Sequence, residues 1–449
     1  MPLRRSPRRH LAGLLAGAMA TGLLGAARPQ AGSPPLFAAG LLGNRTALHA
    51  VAPAEAKGAA FLAGSDVLRL ADSRLRYLPP GAAAPLTVPA GDPGALAAAA
   101  GDRAWLARGR LPGRDAAERD AAARALLDLR LLLRDGGAAL AAQTPYWAYV
   151  WPRDASFAAA AFARTGHRPE AAAILAFLAR SQRPDGTWPA RMEPDGLPVG
   201  DGRPAQLDAT GWVPWAAWLA ADQGRDRDLA RRLWPTVRAA AAAAAASLGP
   251  GGLPPAGPDY WERPERAPTL GTAAALLAGL RAAARLAGAL GEPDGSALAR
   301  AAARLDRAVR DRFGPSGYQR HPGGGGPDVA VAWLAPPFQP PDPAVLAALD
   351  RSGRRLTVSG AGAVPGSPWL RGDPWTPATA TLALAELSSG DPAGARRLGW
   401  LLDHRTALGA FPERVGRRTG APRSVAPLGW TCALVLLALV SREDPAPVP

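Results

Sequence analysis

Tyr149, Trp151, Arg153 and Asp154 fall within one short stretch of the chain. Tyr149 and Trp151 offer flat apolar faces. The guanidinium fork of Arg153 beside the Asp154 carboxylate offers fixed donors and an acceptor for hydroxyl groups. The same stretch also suits a plain helix start, with Pro152 and Asp154 in its first turn. A second stretch, Pro258 to Glu262, sets Glu262 directly after Tyr260 and Trp261, behind a Gly/Pro-rich loop. A carboxyl packed against an indole is poorly solvated, which suits a proton donor; the bland alternative is a solvated loop residue. Gly372-Asp373-Pro374-Trp375-Thr376 reads on its own as a helix start with a packing indole. Phe411-Pro412-Glu413-Arg414 is followed by Ser424 and by Pro427-Leu428-Gly429-Trp430. Arg414 gives Glu413 the counter-charge that a carboxylate base can use, and the two equally form a surface ion pair.

Paired carboxyls among aromatic rings match the demands of glycosidic bond cleavage. One carboxyl gives a proton to the leaving oxygen; in the inverting case the other activates water, with about 6.5–9.5 Å between them. Taken in order, Trp151-Pro152-Arg153-Asp154, Trp261-Glu262 with Asp259 ahead of it, Gly372 to Trp375, and Phe411-Pro412-Glu413 with Leu428 and Trp430 resemble glycoside hydrolase family 15. That family comprises the glucoamylases, glucodextranases and related trehalases, and the likeness spans about residues 113–441. The resemblance implies Glu262 as general acid and Glu413 as general base. It implies Arg153 and Asp154 on the hydroxyls of the terminal sugar, and Trp151, Trp261 and Trp375 in the pocket wall. Gln206 and Asp208 would form a further inner pair. Inverting, exo-acting hydrolysis of an α-glucan or α-glucoside would follow, with no metal or organic cofactor. Three departures stand out. Trp147 occupies a place where many members carry tyrosine near the catalytic water, Asp373 replaces an asparagine, and Arg263 and Glu265 alter the stretch after Glu262.

Other readings use the same residues. A sugar-binding protein without turnover would keep the pocket, and a phosphorylase would use phosphate in place of water. The stretch Gln182 to Trp188 has the Gln-x-x-x-Gly-x-Trp shape of triterpene cyclases, but it occurs once and the acidic cluster that protonates a polyene is missing.

Residues so far apart need a scaffold that gathers loops. Apolar residues at helical spacing, closed by Gly or Pro, predict helices over 115–134, 153–165, 168–181, 206–223, 226–247, 269–290, 295–312, 343–351, 375–389, 391–403 and 427–441. Paired helices with chemistry in the connecting loops predict an all-α fold, an (α/α)6 toroid over 113–441. Short strand signals at 47–51 and 67–70 predict a small β-rich lead-in and linker over 32–112. Residues 442–449 are expected to form a disordered tail.

Composition excludes other classes. The formal net charge is +15, but Lys57 is the only lysine and the arginines are scattered among acids, so no nucleic-acid partner is expected. Cys432 stands alone in an apolar run, and His10, His49, His167, His321 and His404 show no metal-ligand spacing. Arg4, Arg5, Arg8 and Arg9 precede a weakly apolar run, so residues 1–31 are expected to be a twin-arginine-like export signal. The run is too diluted by Gly and Ala for a stable membrane span. The expectation is a secreted bacterial monomer acting on carbohydrate.

Overall fold

The computed structural model describes residues 33–44 and 46–449, so the expected export signal lies outside the described residues. A lead-in comes first. It holds a two-stranded pair, β1 (Gly40–Gly43) with β2 (Leu48–Val51), and a four-stranded antiparallel meander of β3 (Ala60–Phe61), β4 (Leu68–Arg69), β5 (Leu75–Tyr77) and β6 (Leu86–Val88). It ends in α1 (Pro93–Leu106), a helix that the sequence reading did not anticipate. Asp92 caps that helix by accepting from Ala95 N, and Pro93 opens it.

After α2 (Ala116–Leu132) the helices alternate between two layers. The inner layer holds α3 (Pro152–Arg164), α5 (Ala209–Gly224), α7 (Leu270–Leu290), the short 3-10 segment Val329–Leu334, α10 (Thr376–Ser388) and α12 (Gly429–Glu443). Their outer partners are α4 (Arg168–Arg180), α6 (Arg227–Ser247), α8 (Gly295–Phe313), α9 (Pro343–Leu356), α11 (Ala393–Asp403) and α2, in that order. Each inner member packs against the next, and α12 returns to α3. The ring therefore closes as an (α/α)6 toroid. One inner member departs from the expected pattern: Val329–Leu334 is too short to carry a periodic signal, and its neighbours fill the gap.

The two layers differ in sequence for a physical reason. Every residue of α3 is buried, as are all of α5 from Ala209 to Ala221 and most of α12. A helix covered on all sides needs no polar face. α8 instead buries only Leu298, Ala302, Leu305, Ala308, Val309 and Phe313, one stripe at helical spacing. Inside the ring, Phe157, Trp212, Trp215, Trp333 and Phe338 fill the axis, with ring centroids 5.0–6.0 Å apart for the Phe157 contacts and 5.2 Å for Trp212–Trp333. α7 is long and apolar enough to cross a membrane, yet here it is an inner-ring helix packed between α5, α6 and α8. At the carboxyl end α12 continues to Glu443, and Glu443 and Asp444 bond back to Gly113 and Arg164.

Close approach of α5 and α7 depends on glycine. A Cβ on Gly211 would stand 2.0 Å from the carbonyl oxygen of Ala275, which is backbone and cannot swing away. Gly211→Ala is therefore expected to cost at least about 1–3 kcal/mol, the range for overpacked cores, read as a lower denaturant midpoint. An unchanged midpoint would contradict this account of the ring.

Candidate active site

The loops at the amino ends of the inner helices carry the residues singled out above. Arg153, in the first turn of α3, is buried, and its Nη1 donates to Gln206 Oε1 at 3.0 Å and to Asp208 Oδ2 at 2.7 Å. Helix α5 begins at Ala209, three residues later than the sequence reading placed it. Asp208 is thus a boundary residue that makes no side-chain cap and turns its carboxylate to Arg153. Arg153 also lies 3.6 Å from Asp154 Oδ2 and 4.0 Å from Glu262 Oε1, with its guanidinium 5.0 Å from the centroid of Trp430. Burial opposes its charge, but Asp208, Asp154 and Glu262 outweigh that and hold Arg153 above the ordinary arginine value. Burial pushes Asp154 up to about 7; Arg153 opposes this, while Glu262 and Asp208 add to it. Burial likewise raises Asp208 against the pull of Arg153. Asp154 Oδ2 is buried and accepts no hydrogen bond; the Arg153 guanidinium, 3.6 Å away, is its counter-charge.

Glu262 sits in the coil between α6 and α7. Its own φ is 55°, left-handed for a non-glycine residue, and its N–H closes a turn onto Asp259 O at 2.7 Å. The backing for this turn is an ionic cluster that the sequence reading missed. Buried Arg320 donates to Asp259 Oδ1 at 3.0 Å, to Asp328 Oδ2 at 2.7 Å and to Glu265 Oε1 at 2.5 Å. Its guanidinium stacks 3.3 Å from the centroid of Trp261, and Asp259 Oδ1 also accepts from Trp261 N at 3.0 Å. Tyr260 OH completes the cluster by donating to Asp328. Glu265, which departs from the family pattern, is thus part of the support. Above Trp261 only glycine fits at position 366, where a Cβ would come within 2.1 Å of the ring.

The carboxylate of Glu262 is less enclosed than the sequence suggested. Its side chain is 27% exposed. Oε1 accepts from Trp151 Nε1 at 2.5 Å, and Oε2 accepts from Arg203. Arg203 pairs in turn with Asp201, which also holds Arg191. Arg191 lies over the rings of Tyr149 and Trp151, 4.6 and 5.3 Å from their centroids. No signal in the sequence marked Arg191, Asp201 or Arg203.

Glu413 is held differently. It precedes the short hairpin of β7 (Arg414–Val415) and β8 (Pro422–Arg423) and is buried. Its N–H donates to Val425 O at 2.8 Å and its carbonyl accepts from Thr376 N at 3.0 Å, which fixes it to the start of α10. Ser424 Oγ donates to Oε2 at 2.5 Å, and Arg414 Nε lies 3.6 Å away. Rings connect the two carboxylate loops: Trp261 meets Trp369 edge-on at 4.5 Å, Trp369 meets Trp375 at 6.1 Å, and Arg414 lies 3.8 Å over Trp375. Trp369 shares the loop-aromatic character of the others but has no carboxylate beside it to draw notice.

Trp147 packs instead near Phe37, at 6.4 Å, and against the small cluster of Ala142, Val425 and Leu428 behind Glu413. The Gln182 to Trp188 turn is structural. Gln182 Nε2 donates to Gly186 O and Thr236 O, and buried Trp188 donates to Leu178 O at 2.8 Å, which ties α4 to α6.

The comparisons agree on architecture. No family model matches the chain. An uncharacterized glycosyl hydrolase of Methanocaldococcus jannaschii is 26% identical over 352 residues, covering 71% of this chain and 55% of that protein. The chain thus spans about half the length of the curated relative it matches. Among solved structures, a variant glycosidase in complex with glucose matches with a TM-score of 0.64 and 23% identity, over 74% of this chain and 99% of that one. A bacterial glucoamylase complexed with acarbose gives 0.56 and 19%, over 73% and 56% of the respective chains. A GH63 mannosylglycerate hydrolase from Thermus thermophilus, with glucose, gives 0.54 and 19%, over 70% and 98%. The fold is the six-hairpin toroid of these glycosidases.

Removing Arg320 would leave the buried carboxylates of Asp259 and Asp328 without their cation. Arg320→Ala is expected to cost about 3–5 kcal/mol, measured by denaturant unfolding followed through tryptophan fluorescence. A loss well under about 1 kcal/mol, the scale of a surface pair, would show that the cluster does not hold the turn.

Proposed function

We propose that this protein is an inverting, exo-acting glycoside hydrolase that cleaves α-glucosidic bonds, with Glu262 as general acid and Glu413 as general base. The observation that carries the reading is the placement of Glu262 Oε1 against Trp151 Nε1 and 4.0 Å from Arg153, which also pairs with Asp154 and Asp208. A proton donor there adjoins a pocket built for sugar hydroxyls. Arg153, Gln206, Asp208 and Asp154 bind and orient the terminal sugar, and Tyr149, Trp151, Trp261 and Trp375 give it apolar walls. Ser424 occupies Oε2 of Glu413 and leaves Oε1 to take a proton from water. Water attacks the anomeric carbon, the glycosidic C–O bond breaks, and the Glu262 proton passes to the leaving oxygen. The glycosidase names of the matched structures, two of them with bound glucose and one with acarbose, support the carbohydrate substrate. The arginine-rich, apolar start of the chain supports secretion.

Glu262→Gln and Glu413→Gln are each expected to lower kcat on maltose or isomaltose by about a thousandfold, within the range of general acid–base catalysis. NMR of the first product should show the inverted anomer. Retained activity in either variant, or a retained anomer, would overturn the assignment.

Asp154 supplies a pH test. Its carboxyl is raised to about 7, so it accepts a sugar hydroxyl as a charged group above that pH and loses the charge below it. A charge-assisted bond is stronger than a neutral one. Glucose affinity measured by calorimetry should therefore fall as pH drops from 8 to 5.5, by about tenfold. In Asp154→Asn that slope should flatten. A slope equal in both proteins would remove Asp154 from the sugar site.

A further inference from the structure

Both oxygens of Glu262 are occupied, and a proton donor must offer one of them to the leaving oxygen. Oε1 faces the sugar-binding side, where Trp151 and Arg153 lie. Oε2 faces Arg203, on the other side. Trp151 is buried at the start of α3 and cannot withdraw. Arg203 is 40% exposed and belongs to a loop studded with Pro194, Gly196, Pro198, Gly200, Gly202 and Pro204. The oxygen that clears is therefore Oε2, and the leaving group takes the place held by Arg203.

Once displaced, Arg203 keeps Asp201 through its Nε, at 3.0 Å, and its Nη1 remains on the leaving side without an acceptor. Asp201 is already shared with Arg191. Next to Glu262, Arg263 lies 5.7 Å over the Trp369 ring and makes no ion pair among the described residues. When Glu262 carries its proton, Arg191 and Arg203 are left to share the carboxylate of Asp201. A neutral sugar answers this surplus with hydroxyls alone. A carboxylate answers it with charge-assisted hydrogen bonds.

We propose that Arg203 recognises an acidic group on the leaving part of the substrate, so that the preferred substrate releases a carboxylate-bearing alcohol. The inference rests on Glu262 being the proton donor of a glucosidase. Arg203 is then a specificity residue that trades Glu262 for the substrate's own carboxylate. In the trade the C–O bond to the leaving group breaks, its oxygen takes the Glu262 proton, and the anomeric carbon takes hydroxide from water, whose other proton goes to Glu413.

Maltose and maltobionate make a matched pair, since they differ in releasing glucose or gluconate. Wild-type kcat/KM is expected to favour maltobionate by about tenfold, the scale of one charge-assisted bond. Arg203→Gln should bring the ratio close to one, and Arg203→Lys should keep part of it. Equal wild-type rates on the two sugars, or a full preference surviving in Arg203→Gln, would overturn the proposal. Turnover of α-glucosyl fluoride with neither disaccharide cleaved would overturn it too, while leaving the hydrolase reading intact. Failure on all three substrates would sink the hydrolase reading and this inference with it. The wild-type ratio decides the matter even if Arg203→Gln does not fold.

Discussion

The buried charge of Arg153 organises the near end of the ring. A guanidinium cut off from water needs counter-charge and donors' partners on all sides. Here they come from four different parts of the chain: Gln206 and Asp208 ahead of α5, Asp154 beside it, Glu262 from the coil before α7, and the ring of Trp430 in α12. Each element that meets Arg153 is thereby fixed relative to α3. The same cation keeps a crowd of carboxylates together that would otherwise repel one another, and Asp154 shows how close that balance runs.

The two candidate carboxylates are supported by different physics. The Glu262 turn rests on side-chain ionic contacts through Arg320, and its carboxylate is partly open to solvent. Glu413 rests on backbone hydrogen bonds from a hairpin and from the start of α10, and it is buried. In the proposed mechanism, a base that serves one small, unvarying water gains from such rigidity. In the same mechanism, a proton donor that meets leaving groups of differing shape gains from an outer face closed by a half-exposed arginine.

Much of the ring was legible in the sequence because its helices are long and their punctuation is strong. The helices over 168–180, 227–247 and 270–290 start and stop within a residue of where spacing and Gly or Pro placed them. Val329–Leu334 was hidden because six residues are too few for a period to show, and α1 because its alanines give little contrast between faces. In the site, the residues that could be read were those standing in aromatic loop segments. Arg203 and Arg320 could not be read. Each is an arginine in an arginine-rich chain, and its link to Glu262 or to Glu265 spans 59 or 55 positions in sequence. Long-range pairing of charged groups leaves no local trace.

A strap of hydrogen bonds ties residues 33–39 to the last loops before α12. Phe37 N donates to Ser424 O and Ser424 N donates to Pro34 O, while Arg423 reaches Ser33 O and Thr406 reaches Ala39 O. Ser424 is the residue that holds Glu413. Contacts that span nearly four hundred residues cannot form on a growing chain until almost all of it has been made. The Ser424 support of Glu413 is thus completed only once residues 33–39 meet this loop. A clipped chain that lacks residues 33–39 would close its ring without the backing that these bonds give to Ser424 beside Glu413.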